Sequence, residues 1–142
     1  MTLILDSSGL LAAVDEGQED HSAARETLES ARGPLLISPF VLAELDYVVL
    51  TRRMGQGHEL ALLREVARGV YRLEYFSEVD VAEAIGILER YADFRIGLAD
   101  ASNVVLANRH ATLDVLTLDE RHFRALRGPG GRPFRILPAD AG

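Results

Sequence analysis

Apolar residues in this chain follow two different spacings. Residues 2–6, built on Leu3-Ile4-Leu5, and Leu35-Leu36-Ile37 are short apolar stretches that read as strands; Leu113 to Leu118 and Phe134 to Leu137 are mostly apolar and read as two more, the last an edge strand. Residues 70–76 alternate apolar positions with Arg72 and Glu74 and read as a further strand. Between the runs lie segments with apolar residues three and four apart, as in helices. They predict helices over 10–14, 20–32, 39–54, 58–68, 77–91, 98–110 and 119–127. Ser38-Pro39 is an N-cap followed by proline at the first helical position, and Ser77 to Asp80 resembles a capping box. Gly33-Pro34, Gly55, Gly57 and Gly128 to Gly131 break the pattern. Strands alternating with helices predict an α/β fold with a central, mainly parallel sheet flanked by helices. No internal repeat or linker interrupts residues 1–142, which predicts a single domain.

Two of the strands run into an aspartate: Leu5 into Asp6, and Leu118 into Asp119. Ligands of α/β sheets bind at the carboxyl ends of strands, so two such carboxylates point to one acidic site. Each also suits an N-cap of the helix that follows. Glu44 lies in a helix whose neighbours at three and four residues are Phe40, Val41, Tyr47 and Val48, so it is expected within an apolar stripe. Asp46 reads as an ordinary surface charge. Asp100 opens another apolar helix, where it also complements the helix dipole, and Asn103 lies one turn on with an oxygen to offer. Clustered carboxylates repel one another unless a cation fills the cluster, and hard oxygen ligands suit magnesium or manganese.

Composition narrows the choices. There is no cysteine and no lysine; all 15 basic residues are arginines. That excludes thiolate chemistry, a P-loop lysine, a Schiff base and the lysine of a response-regulator receiver. A haloacid-dehalogenase-like phosphatase needs a second aspartate two positions after the first, where this chain has Ser8. His21, His58, His110 and His122 form no zinc spacing and read mostly as surface residues. The first residues lack a basic region and meet Asp6 early, and no apolar run approaches membrane-spanning length, so a soluble cytoplasmic protein is expected. A net charge of −7 disfavours nucleic-acid binding by bulk charge. Any such contact would be local, and Arg121, Arg124 and Arg127 recur at helical spacing with Arg132 and Arg135 beyond. Arginines near a helix C-terminus are equally ordinary dipole partners.

Asp6-Ser7-Ser8, Ser38 to Leu45, Leu98 to Ser102 and Thr117 to Phe123, in that order, resemble the PIN-domain family, and most nearly its VapC-type toxins. The resemblance covers essentially the whole chain. It implies a PIN-like three-layer fold and a magnesium- or manganese-dependent endoribonuclease of a toxin–antitoxin pair. Carried over by position, Asp6, Glu44, Asp100 and Asp119 are the catalytic acidic quartet, with Asp6 and Asp100 the direct metal ligands and Ser8 and Thr117 supporting them. Asn103 departs from the pattern, since many relatives carry an apolar residue there. The resemblance also implies in-line attack by water that releases a 3′-hydroxyl and a 5′-phosphate, a homodimer, and a cognate VapB-type antitoxin whose tail enters the acidic groove. A catalytically silent PIN-fold binding module, and a metal-dependent nuclease or phosphatase acting on DNA, remain as alternatives.

Overall fold

A computed structural model describes residues 1–52 and 56–142. Met54 and Gly55, where the third helix was expected to end, and Arg53 lie outside the described residues. Among the described residues the sheet has five strands: β1 (Leu3–Leu5), β2 (Leu35–Ile37), β3 (Arg72–Leu73), β4 (Asp114–Leu116) and β5 (Arg135–Leu137). Their spatial order is β3-β2-β1-β4-β5, and every pairing is parallel. The helices are α1 (Ser7–Val14), α2 (His21–Ser30), α3 (Pro39–Thr51), α4 (Gln56–Ala67), α5 (Glu78–Arg90), α6 (Leu98–His110) and α7 (Glu120–Ala125).

The alternation of strand side chains divides the core in two. Leu3, Leu5, Ile37, Leu116 and Leu137 pack against α1 to α4. Ile4, Leu36, Val115 and Ile136 face the other way, against α5 to α7. A parallel sheet covered on both faces needs apolar residues at consecutive positions, which is why the central β1 and its neighbour β2 read as unbroken apolar runs, while β3, β4 and β5 each begin with a charged residue. The chain winds from β1 outward through β2 to β3, then returns to place β4 on the other side of β1. That reversal opens a crevice at the carboxyl ends of β1 and β4, the switch point where open α/β sheets hold ligands.

The strand expected over 70–76 is shorter. Only Arg72 and Leu73 pair, opposite Leu36 and Ile37. Glu74 donates its N–H to Ile37 O and the chain then leaves the sheet. The last helix stops at Ala125 rather than Arg127, and the first begins at Ser7 directly after Asp6. Ser38 caps α3 as its sequence suggests, accepting from the Phe40 N–H at 3.1 Å.

A carboxylate cleft at the strand ends

Asp6 follows β1 directly and sits at the N-cap position of α1, yet its side chain makes no cap bond. It is buried and turns into the crevice. There Thr117 Oγ1 donates to Asp6 Oδ2 at 2.7 Å, and Asn103 Nδ2 donates to Asp6 Oδ1 at 3.3 Å. Thr117 follows β4, and the same hydroxyl accepts from the Asp119 N–H at 3.0 Å. Ser8 Oγ lies 3.2 Å from Thr117 Oγ1 and accepts from the Leu118 N–H at 3.0 Å. Ser8 and Thr117 thus tie the start of α1 to the end of β4.

Asp119 combines both roles open to it in the sequence. One carboxylate oxygen caps α7 by accepting from the His122 N–H at 3.1 Å. The other lies 2.8 Å from His122 Nδ1. Asp100, in the first turn of α6, accepts from the Gly97 N–H at 3.4 Å and lies 3.5 Å from His122 Nδ1. Among the described residues, Asp100, Asp119 and His122 bring their donor atoms within 4.8 Å of one another.

Glu44 corrects the sequence expectation. It is exposed, not held in an apolar stripe. The buried stripe of α3 is Val41, Leu45 and Val49, four residues apart. Glu44 lies one position, about 100°, off that line and faces outward. Ser7 Oγ donates to Glu44 Oε1, which holds the carboxylate at the mouth of the cleft.

Electrostatics mark the cleft as a place for a cation. The Asp6 carboxyl is pushed up to about 7, chiefly by burial, with Asp100 and Glu44 adding repulsion against the Thr117 hydrogen bond. Burial also raises Asp100, opposed by the Gly97 N–H and His122, while Asp119 and Glu44 reinforce the rise. Asn103 Oδ1, 1% exposed, has no hydrogen-bond partner among the described residues. Repelling carboxylates with an orphaned buried oxygen beside them fit a hard divalent cation.

His122 is the site residue that the sequence reading missed. Its signal was its place three residues after Asp119, one helical turn along the same face. The other histidines are not uniformly superficial either. His110 contacts Glu74, and His21 Nδ1 lies 2.8 Å from Ala12 O.

The arginine series divides. Arg121 is exposed. Arg124 is engaged, with Glu120 at 2.8 Å and Asp140 at 2.8 Å. Arg127 lies beyond α7 and donates to Arg124 O and Leu126 O. No acidic residue lies between Arg121 and Arg135 in the sequence, but the fold brings Glu120 and Asp140, which flank that stretch, onto Arg124.

Known proteins resemble this architecture closely. A family model for the PIN domain matches residues 3–129. Ribonuclease VapC26 of Mycobacterium tuberculosis (strain ATCC 25618 / H37Rv) is 48% identical over 136 residues, covering 96% of this chain and the whole of that protein. Among solved structures, VapC20 of Mycobacterium tuberculosis, a sarcin-ricin loop cleaving toxin, has a TM-score of 0.75 at 20% identity, covering 82% of this chain and 89% of its own. VapBC2 of Rickettsia felis, bound to a DNA fragment from its promoter, has a TM-score of 0.67 at 20% identity over 96% of this chain and 99% of its own. The chain belongs to the PIN-domain family.

Proposed function

We propose that this protein is a metal-dependent endoribonuclease, the toxin of a toxin–antitoxin pair. The observation that carries the reading is the convergence of Asp6, Glu44, Asp100 and Asp119 from four separate elements, with Asp6 pushed up to about 7. Whole-length similarity to a protein named a ribonuclease supports RNA as the substrate over DNA.

Asp6, Asp100 and Asp119 would hold magnesium or manganese, with His122 as a further ligand or as the group that orients Asp119. The ion, when bound, supplies charge neutralisation at the scissile phosphate and lowers the pKa of water. Thr117, Ser8 and Asn103 fix the Asp6 carboxylate. Glu44, held by Ser7 at the mouth, accepts a proton from the attacking water. The new P–O bond forms in line with the breaking P–O3′ bond, leaving a 5′-phosphate and a 3′-hydroxyl. Arg121 is the member of the basic series best placed for phosphate, since Arg124 and Arg127 already have protein partners.

The same reading includes a homodimer and an antitoxin in the cytoplasm. Exposed Tyr47, Tyr75 and Val79 provide apolar surface for partners. The VapBC2 neighbour is itself a toxin–antitoxin complex by name. Among the described residues no helix is long and apolar enough to cross a membrane.

The test is manganese-dependent cleavage of a mixed RNA pool by the antitoxin-free protein, beside Asp6→Ala and Asp100→Asn. Cleavage lost with EDTA and with both substitutions supports the proposal. A folded, manganese-saturated wild type that leaves RNA intact refutes it and favours a binding module.

A further inference from the structure

A cavity of about 250 Å³ opens beside the carboxylates, between α1 and α3. Its walls are Leu11, Leu45, Val48 and Leu118. Ser7 and Ser8 form the end nearest the cleft, and these are the residues that hold Glu44 and Asp6. Leu45 and Leu118 adjoin Glu44 and Asp119 in sequence, so cavity and cleft share their framework. Gln18 and Arg52 complete its polar lining.

We propose that this cavity takes the base of the nucleotide next to the scissile phosphate and so selects where the RNA is cut. This inference rests on the ribonuclease reading above. The volume is below the ~300–1,000 Å³ of drug-sized ligand sites, which suits one nucleoside rather than a folded peptide segment. Aliphatic walls cover the faces of a planar base. Gln18 donates through Nε2 to Asp15 Oδ2 at 3.2 Å, which leaves its carbonyl oxygen to accept from a base N–H. Arg52 follows the last residue of α3, eight positions after Glu44 and roughly 12 Å along the axis. That separation lets the guanidinium meet a neighbouring phosphate while the scissile one lies at the carboxylates. Asp15, the acceptor of Gln18, also attracts Arg52, so in a chain of net charge −7 the guanidinium serves as a local contact for one phosphate rather than as a long-range guide.

The experiment compares the wild type with Val48→Phe, which fills the cavity, and with Arg52→Ala and Gln18→Ala, which change its polar lining. Binding of a labelled short RNA pool is measured by anisotropy in EDTA, and cut sites are mapped by fragment-end sequencing with manganese. The proposal expects Val48→Phe to weaken binding about tenfold and to flatten the base preference at one position flanking the cut. It expects Arg52→Ala to weaken binding less and to make it less salt-dependent. Should Val48→Phe fail to melt cooperatively, Arg52→Ala and Gln18→Ala decide. Unchanged binding and unchanged cut sites in the folded variants overturn the inference while leaving the ribonuclease reading intact. RNA binding that is sensitive to these variants, in a wild type that does not cut, upholds the pocket and removes the activity. If the variants lose only neutralisation by an antitoxin, the cavity belongs to the antitoxin and the inference fails.

Discussion

At Asp6, burial and like charge act together on one carboxylate. The folded protein retains a proton that the unfolded chain releases near pH 3.8, since the folded value is about 7. Stability of the metal-free protein is therefore expected to fall as pH rises from about 4 to about 7, and to level off above. Asp6→Asn should flatten that fall and raise the melting temperature at pH 8, while cleavage drops by two orders of magnitude or more, on the order of a lost catalytic group. Thermal melts across pH with EDTA check the first part; a pH-independent wild type contradicts it. Thr117 serves Asp6 and the Asp119 N–H through one hydroxyl. Thr117→Val should cost about 1–3 kcal/mol in urea denaturation, and Thr117→Ser should recover most of it. His122→Ala should weaken manganese binding about 10–100-fold by calorimetry, in line with loss of a ligand or of its orienting partner.

At the scale of elements, the cleft depends on how closely α1 sits on β4. A Cβ added at Gly9 would come 2.4 Å from Leu116 O, a backbone atom that cannot yield without moving the strand. Gly9→Ala should therefore destabilise the protein by about 1–3 kcal/mol and reduce cleavage, although no carboxylate is altered. Normal activity in that variant would show that α1 has more freedom than the packing implies. A second clamp lies away from the cleft. Glu74 is buried among Arg72, Arg109 and His110; burial pushes its carboxyl up, but these partners outweigh burial and hold it below the usual range. Arg109 also reaches Asp80 at 2.8 Å and stacks over Tyr75 at 4.4 Å, which joins α5, α6 and the segment after β3. This network explains why an edge strand with only two paired residues holds its place.

For the molecule as a whole, net charge and local charge oppose each other. A chain of −7 repels RNA at long range, so affinity is expected from local contacts, with a few arginines and, when bound, the cleft cation adding to it. Divalent metal is expected to raise the melting temperature more at pH 8 than at pH 5, because at pH 5 the proton on Asp6 competes with the ion. Equal shifts at both values would place the ion away from Asp6. The strand order also matters at this scale. Only the return of the chain to the far side of β1 sets Asp6 beside Thr117 and Asp119, 111 residues from the first and further from the second.

The sequence by itself determined the parallel α/β class, the order of the elements and the acidic positions that converge. These depend on local periodicity, on caps such as Ser38-Pro39, and on the aspartates that end strands, all carried by neighbouring residues. The outward face of Glu44, the place of His122 between Asp100 and Asp119, and the engagement of Arg124 by Asp140 were decided only by the tertiary structure. Each depends on a helix's rotation about its axis or on a partner distant in sequence. Helical periodicity gives the width of an apolar stripe but not its edge, and Glu44 lies at the edge. A run of arginines shows charge without showing which acids the fold will bring beside it.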